Sequence, residues 1–224
     1  MNYTEVMKKL EAMGTAQNRK VYARHGVGEK MFGVSFANLG KLRKEIKIDH
    51  GLATKLWASG NHDARILATM IADAAQMKSA VLEEWTKHLD NYVITDALSG
   101  LAGKTPFARA KMKKWTGSKE EWTGRAGWVL LAGLAMNDDE LPDEFFEEYI
   151  EMIEANIRRS KNRVRDAMNS ALITMGIRNG RLEKKAVAAA KRIGTVEVDH
   201  GETGCKTPDA VAYIQKVKAR RKRR

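Results

Sequence analysis

Three arginines recur in one setting. Arg65 lies in Asp63-Ala64-Arg65-Ile66-Leu67-Ala68, Arg125 in Gly124-Arg125-Ala126-Gly127-Trp128, and Arg165 in Val164-Arg165-Asp166-Ala167-Met168. Each sits where the first turn of a helix is expected and is followed by small and large apolar residues. A guanidinium is always charged and offers a planar fork of N–H donors that matches a phosphate at two points. Repeated in successive helices, such a residue makes a ladder along one face, suited to a phosphate backbone. For any one of them, the competing role is a structural contact with a neighbouring carboxylate. Further cations cluster as Lys111, Lys113 and Lys114; as Arg158, Arg159, Lys161, Arg163 and Arg165; and as Lys184, Lys185, Lys191 and Arg192. The candidate phosphate contacts are therefore Arg65, Arg125, Arg158, Arg159, Lys161, Arg163, Arg165, Lys184 and Lys185. Removing Arg125 or Arg165 is expected to matter more than removing Lys47. His200 and Cys205, with Asp199 and Asp209 near, form a lone Cys/His pair. Without a second pair that is a weak metal signal, and no metal site is assigned.

The elements that must position these residues are helices. Apolar residues recur at helical spacing, as with Val6, Leu10 and Met13, or Leu39, Leu42 and Ile46. Gly, Asn, Asp or Pro punctuates the breaks. Helices are expected over 2–13, 17–25, 36–46, 49–58, 62–75, 81–89, 92–102, 106–115, 119–135, 145–155, 163–175, 181–193 and from 209 to about 218. Ser35 and Asn162 read as N-caps, and Ser118 with Glu121 as a capping box. Helix pairs of about 35 to 45 residues in series are the signature of an α-solenoid, whose concave face can cup an extended ligand. The fold class is thus all-α, a solenoid with a basic concave groove. The stretch 195–200 alternates as a short strand would and reads either as a small hairpin or as an extended loop. One domain over 1–218 is expected, with 195–207 irregular and 219–224 a disordered basic tail. Trp57, Trp85 and Trp115 read as core; Trp122 stands near a helix start, where it could face the groove.

Charge supports the phosphate reading. The chain has 224 residues, 40 Lys and Arg against 28 Asp and Glu, and a net charge of +12. Its pI of about 9.7 is that of a nucleic-acid binder. Apolar content of 43% excludes a disordered chain. With one cysteine no internal disulfide can form, which fits a reducing cytoplasm. The first ten residues lack the apolar run of a signal peptide, and no stretch reaches the length of a membrane span.

Two motifs resemble a known family. Met31-Phe32-Gly33-Val34-Ser35-Phe36-Ala37-Asn38-Leu39-Gly40-Lys41-Leu42 is similar to the Tyr/Phe-Gly-Val motif and following helix of the AlkD-like DNA alkylation repair proteins. Leu56-Trp57-Ala58-Ser59-Gly60-Asn61-His62-Asp63-Ala64-Arg65 resembles their next hallmark, and the succession of helix pairs matches from about residue 20 to about 195. The resemblance implies HEAT-like repeats that hold duplex DNA in a concave groove. It also implies the activity of a DNA glycosylase, excising N3- and N7-alkylpurines with neither metal nor organic cofactor. In such a site a carboxylate and nearby rings stabilise the cationic sugar that develops as the glycosidic bond breaks. Asp96 falls at the family's catalytic aspartate and Arg125 at its phosphate-gripping arginine. Tyr92 stands where the glycosylases have a tryptophan, and Ser170 where they have a second one.

Two functions therefore remain open. One is an alkylpurine glycosylase with Asp96, Arg125 and Tyr92 as catalytic residues. The other is a non-catalytic DNA-binding module preferring branched or distorted duplexes, motivated by Ser170 and by the segment 195–205. For Asp96 the structural alternatives are an N-cap or a buried partner of Arg125. The expected partner is duplex DNA, damaged or branched, bound by a cytoplasmic monomer with no membrane contact.

Overall fold

The computed structural model describes residues 1–221. Among them are thirteen α-helices: α1 (Tyr3–Met13), α2 (Ala16–Arg24), α3 (Phe36–Ile46), α4 (His50–Ala58), α5 (His62–Ile71), α6 (Ser79–Thr86), α7 (Tyr92–Ala102), α8 (Ala108–Thr116), α9 (Glu121–Asn137), α10 (Asp143–Asn156), α11 (Asn162–Gly176), α12 (Gly180–Ile193) and α13 (Ala210–Arg221). A 3₁₀ turn, Ile157–Arg159, follows α10. Side-chain caps set many starts. Asn2, Thr15, Ser35, Asp49, Asn61, Asn91 and Asn179 each accept a backbone N–H of the first turn, satisfying donors that the helix itself cannot.

Two expected caps are corrected. The capping box at Ser118 does not form: α9 begins after Glu120 with no side-chain cap, and Ser118 Oγ accepts the Glu120 N–H at 3.1 Å. Asn162 is the first residue of α11 rather than its cap. Its side-chain amide clamps the Asp199 backbone, donating to the carbonyl at 2.8 Å and accepting the N–H at 2.8 Å. That clamp helps hold 195–200 as an extended loop, and no strand occurs among the described residues. At the far end α13 continues to Arg221, so 219–221 of the expected tail are helical. Residues 222–224 lie outside the described residues.

The described residues form two compact units, residues 1–108 with 201–203 and residues 109–200 with 204–221. In the first, α4 packs on α5 and α6 on α7, while α3, α5 and α7 lie side by side. In the second, α10 packs on α11 and α12, and α11 lies between α9 and α13. The contact of α9 with α11 is the most extensive in the molecule. On another side α9 meets the end of α8 through Gly127, where a Cβ would come within 2.2 Å of the Thr116 backbone nitrogen. Trp57 and Trp85 stack in the first core at 4.1 Å with 2° between planes, and Trp115 and Trp128 are fully enclosed in the second. No helix among the described residues is long and apolar enough to cross a membrane.

Candidate nucleic-acid interface

Asp96 and Tyr92 lie on α7 four residues apart, hence on one face. The N-cap of α7 is Asn91, whose side chain accepts the N–H groups of Val93 and Ile94 at 3.0 and 3.1 Å. Asp96 is therefore not a cap; it stands in the second turn, half-buried. The Tyr92 hydroxyl meets His25 Nδ1 at 2.5 Å, and the two rings meet edge-on at 5.8 Å. His25, the residue ending α2, thus fixes the Tyr92 ring over the start of α7.

Neither Tyr92 nor Asp96 lines the groove of about 760 Å³ that α3, α5 and α7 form with their flanking residues. Arg43, Lys44 and Lys47 come from α3 and its C-cap, and Lys104 from just beyond α7. Thr69, Met70, Ala97, Gly100, Phe36 and Ile48 also line the groove. One carboxylate, Asp73, is present; it accepts the Ala75 N–H and the Gln76 side-chain amide at 2.9 and 2.7 Å. These bonds, that from Gln76 first, hold its carboxyl below the usual range. None of these four cations is among the candidate phosphate contacts read from the sequence, where Lys47 ranks below Arg125 and Arg165. Only the assembled helices bring them together.

The motif Phe32-Gly33-Val34 is positioned by a buried carboxylate. Asp63, fully enclosed in α5, accepts the N–H groups of Phe32, Gly33 and Val34 at 2.6, 3.0 and 2.8 Å. Gly33 has φ +80°, and a Cβ there would meet the Thr15 carbonyl at 2.7 Å. The segment leading into α3 is thereby held to the start of α5. Charge-assisted bonds of this kind are roughly twice as strong as neutral ones.

Arg65 is half-buried over the Trp57 ring, 5.5 Å from its centroid. Its Nε donates to the Trp57 carbonyl and its Nη1 to the His88 carbonyl, both at 3.3 Å. Burial lowers its pKa, and the Asp90 charge opposes that. His62, at the start of α5, is 7% exposed. Burial lowers its pKa against the pull of Asp63 and Asp90.

In the second unit Arg125 is 6% exposed. Its Nη1 donates to Asp166 Oδ2 at 2.7 Å and to the Arg163 carbonyl at 3.2 Å, while Glu121 Oε1 accepts the Arg163 N–H at 2.7 Å. Arg158 and Arg165 share a cavity of about 230 Å³ with Thr195, Val196 and Glu197. Arg158 donates to the Ile193 carbonyl at 2.6 Å, and Arg165 to the carbonyls of Glu197 and Ser160 at 2.8 and 3.2 Å. Arg165 thus ties the irregular segment to α11, and Arg158 ties the 3₁₀ turn to the end of α12. Arg159 is held on Asn156 Oδ1 at 2.6 Å, and Lys161 is exposed. Lys184 and Lys185 are exposed on α12, where Lys185 faces Glu147 of the acidic helix α10 at 3.5 Å. Arg181 and Arg192 pair with the same helix, at Glu144 and Glu147 and at Glu154. Ser170 is exposed on α11, and Trp122 is half-buried. The His200 ring meets the Thr207 hydroxyl at 3.0 Å, Cys205 is exposed, and no three metal-ligating side chains gather among the described residues.

Comparison with known proteins bears on this geometry. The family model described as "DNA alkylation repair enzyme" matches residues 6–214. An uncharacterized protein of Listeria innocua is 28% identical, the match covering 98% of this chain and 99% of that one. An uncharacterized protein of Listeria monocytogenes is also 28% identical, covering 99% of this chain and 100% of its own. A solved structure matches with a TM-score of 0.91 at 31% identity, covering 98% of this chain and 95% of that chain. It belongs to a family of proteins related to the HEAT-like repeat DNA glycosylases with affinity for branched DNA structures. The helix pairs described above are accordingly HEAT-like repeats.

Proposed function

The chain belongs to the DNA alkylation repair enzyme family, and on that premise we propose that it binds DNA and prefers branched structures to linear duplex. The observation that carries this reading is the groove across α3, α5 and α7, with four cations against one internally bonded carboxylate. Its likeness to a protein whose family has affinity for branched DNA supports the preference. So does Ser170, exposed on α11 where the resemblance to the glycosylases calls for an aromatic ring.

Binding of this kind is driven by release of counterions from phosphates. Four contacts predict a slope of about −3 to −4 in log affinity against log salt. The test is competition between a four-way junction and a linear duplex of equal length at one salt concentration. Preference for the junction together with that slope supports the reading, and equal affinities overturn it.

A second reading is glycosylase activity on cationic alkylpurines. It is favoured by the half-buried Asp96 on the same face as the anchored Tyr92. A carboxylate there can stabilise an oxocarbenium-like sugar and orient water. Release of 7-methylguanine from alkylated duplex by the wild type but not by Asp96→Asn is the expected result. Equal background release by both removes it.

A further inference from the structure

Phe36 and Ile48 are two of six large apolar side chains left exposed among the described residues, at 50% and 68%. The others are Met1, Met136, Met152 and Tyr213. Of the six, Phe36 and Ile48 alone line the groove of α3, α5 and α7. Phe36 is the first residue of α3, and Ile48 lies two residues beyond its end. At 1.5 Å per residue the two are roughly 16 to 18 Å apart along the helix. Arg43, Lys44 and Lys47 fall between them in the chain.

A linear duplex gives the exposed side chains little. Its bases are stacked and paired, and its backbone offers phosphates, which engage the lysines and arginine but not a phenyl ring. An unpaired strand offers both phosphates and free base faces. Proteins that bind single strands combine these two elements, a cationic track and aromatic rings on which bases stack. Branched DNA supplies unpaired or splayed bases where its arms meet.

The backbone at Lys47 adds to this. Lys47 has φ 66° and ψ −133°, the one non-glycine residue with positive φ among the described residues. That region favours glycine, and a lysine held there is strained. The strained turn places a cation directly before the exposed Ile48.

We propose that this groove holds an unpaired DNA strand, with Phe36 as the ring on which a base stacks and Ile48 as a second apolar contact. The proposal rests on the DNA-binding reading above and names the feature of a branched substrate that is recognised. Its chemistry is an anionic strand bearing exposed base faces, set against four cations and two exposed apolar side chains.

The experiment uses the full chain and a forked duplex carrying 2-aminopurine in one unpaired arm, with a blunt duplex of equal phosphate number as reference. Stacking on Phe36 changes the 2-aminopurine emission on binding. Phe36→Ala is expected to abolish that change, to weaken fork binding about tenfold, and to leave blunt-duplex binding within about twofold, since its phosphate contacts are untouched. Phe36→Trp, which keeps a ring, should retain the change and the fork affinity. Phe36 is half-exposed, so a melting temperature within a few degrees of wild type is expected for both variants. Equal weakening of fork and blunt duplex by Phe36→Ala, or no weakening of either, overturns the proposal. Displacement of the fork by a polyglutamate peptide at equal charge concentration overturns it too, because the groove would then favour an acidic peptide. A wild type that prefers junctions while Phe36→Ala changes nothing leaves the branched-DNA reading standing and removes only this one. Failure of the wild type to bind any DNA removes both.

Discussion

Arg125 and Asp166 form a buried ion pair, Nη1 to Oδ2 at 2.7 Å, with side-chain exposures of 7% and 18%. The pair joins α9 to α11, the most extensive helix contact in the molecule. The Arg163 carbonyl also accepts from the guanidinium, at 3.2 Å. A guanidinium so enclosed acts on the packing of the second unit. Removing one partner leaves the other charge in a poorly solvated site, which costs about 3 to 5 kcal/mol. Arg125→Ala is therefore expected to lower the melting temperature by on the order of 10 °C, measured by calorimetry. Well below that temperature, its affinity for linear duplex should stay within a few-fold of wild type. A normal melting temperature combined with lost binding would instead make Arg125 a phosphate contact.

The Asp63 carboxylate is the acceptor for three consecutive backbone N–H groups that have no helix to serve them. Asp63→Ala strands all three in a buried place, and each unsatisfied donor costs about 1 to 3 kcal/mol. The variant should be poorly folded or lose much of its stability in urea. Asp63→Asn keeps one good acceptor oxygen and should fall between the two. A variant with alanine at this position and an unchanged urea midpoint would show that the segment 32–34 is held by something else.

Lys47 combines a strained backbone with a place on the groove. Lys47→Gly relieves a strain of about 1 to 3 kcal/mol, offset in part by the larger entropy of glycine in the unfolded chain. The melting temperature should rise by a few degrees. The same change removes one cation, so the salt dependence of DNA binding should flatten by about 0.9 in the log–log slope. Opposite movements of stability and affinity are the signature expected. A fall in both would mean that the lysine side chain itself supports the fold.

The helices were legible because their signals are local. Asn91, with an apolar face three and four residues on, fixes α7 to the residue, and Trp57, Trp85 and Trp115 are buried as their surroundings implied. The capping pattern at Ser118 misled because cap choice depends on the path of the preceding turn, which the pattern does not contain. The groove was not legible at all. Phe36 and Lys104 are 68 positions apart (104 − 36), and nothing in either neighbourhood says that they line one cleft. Arg125 shows the same limit from another side. Its local sequence matches that of Arg65, yet one arginine meets a carboxylate and the other lies over a tryptophan. What each faces is decided by the neighbouring helix.

His62 gives the first unit a dependence on pH. Its ring is 7% exposed and edge-on to Tyr22 at 5.9 Å. Desolvation lowers its pKa from the model-peptide value of 6.5, Arg65 adds to that, and Asp63 and Asp90 work against it. The unfolded chain therefore takes up the proton first as pH falls. Its contribution to stability is fully present above about 6.5 and is lost as the pH drops below that value toward the folded-state pKa. Half-buried carboxylates such as Glu147 and Glu154, whose pKa values are lowered chiefly by bonds to Arg181 and Arg192, lose their contribution only in a more acidic range, through their ordinary value of 4.5 and below. The interval from about pH 7.5 to 5.5 thus separates the histidine from the acids. Urea midpoints measured at those two pH values should fall for wild type and change less for His62→Gln. Equal falls in both proteins would assign the pH dependence to another group.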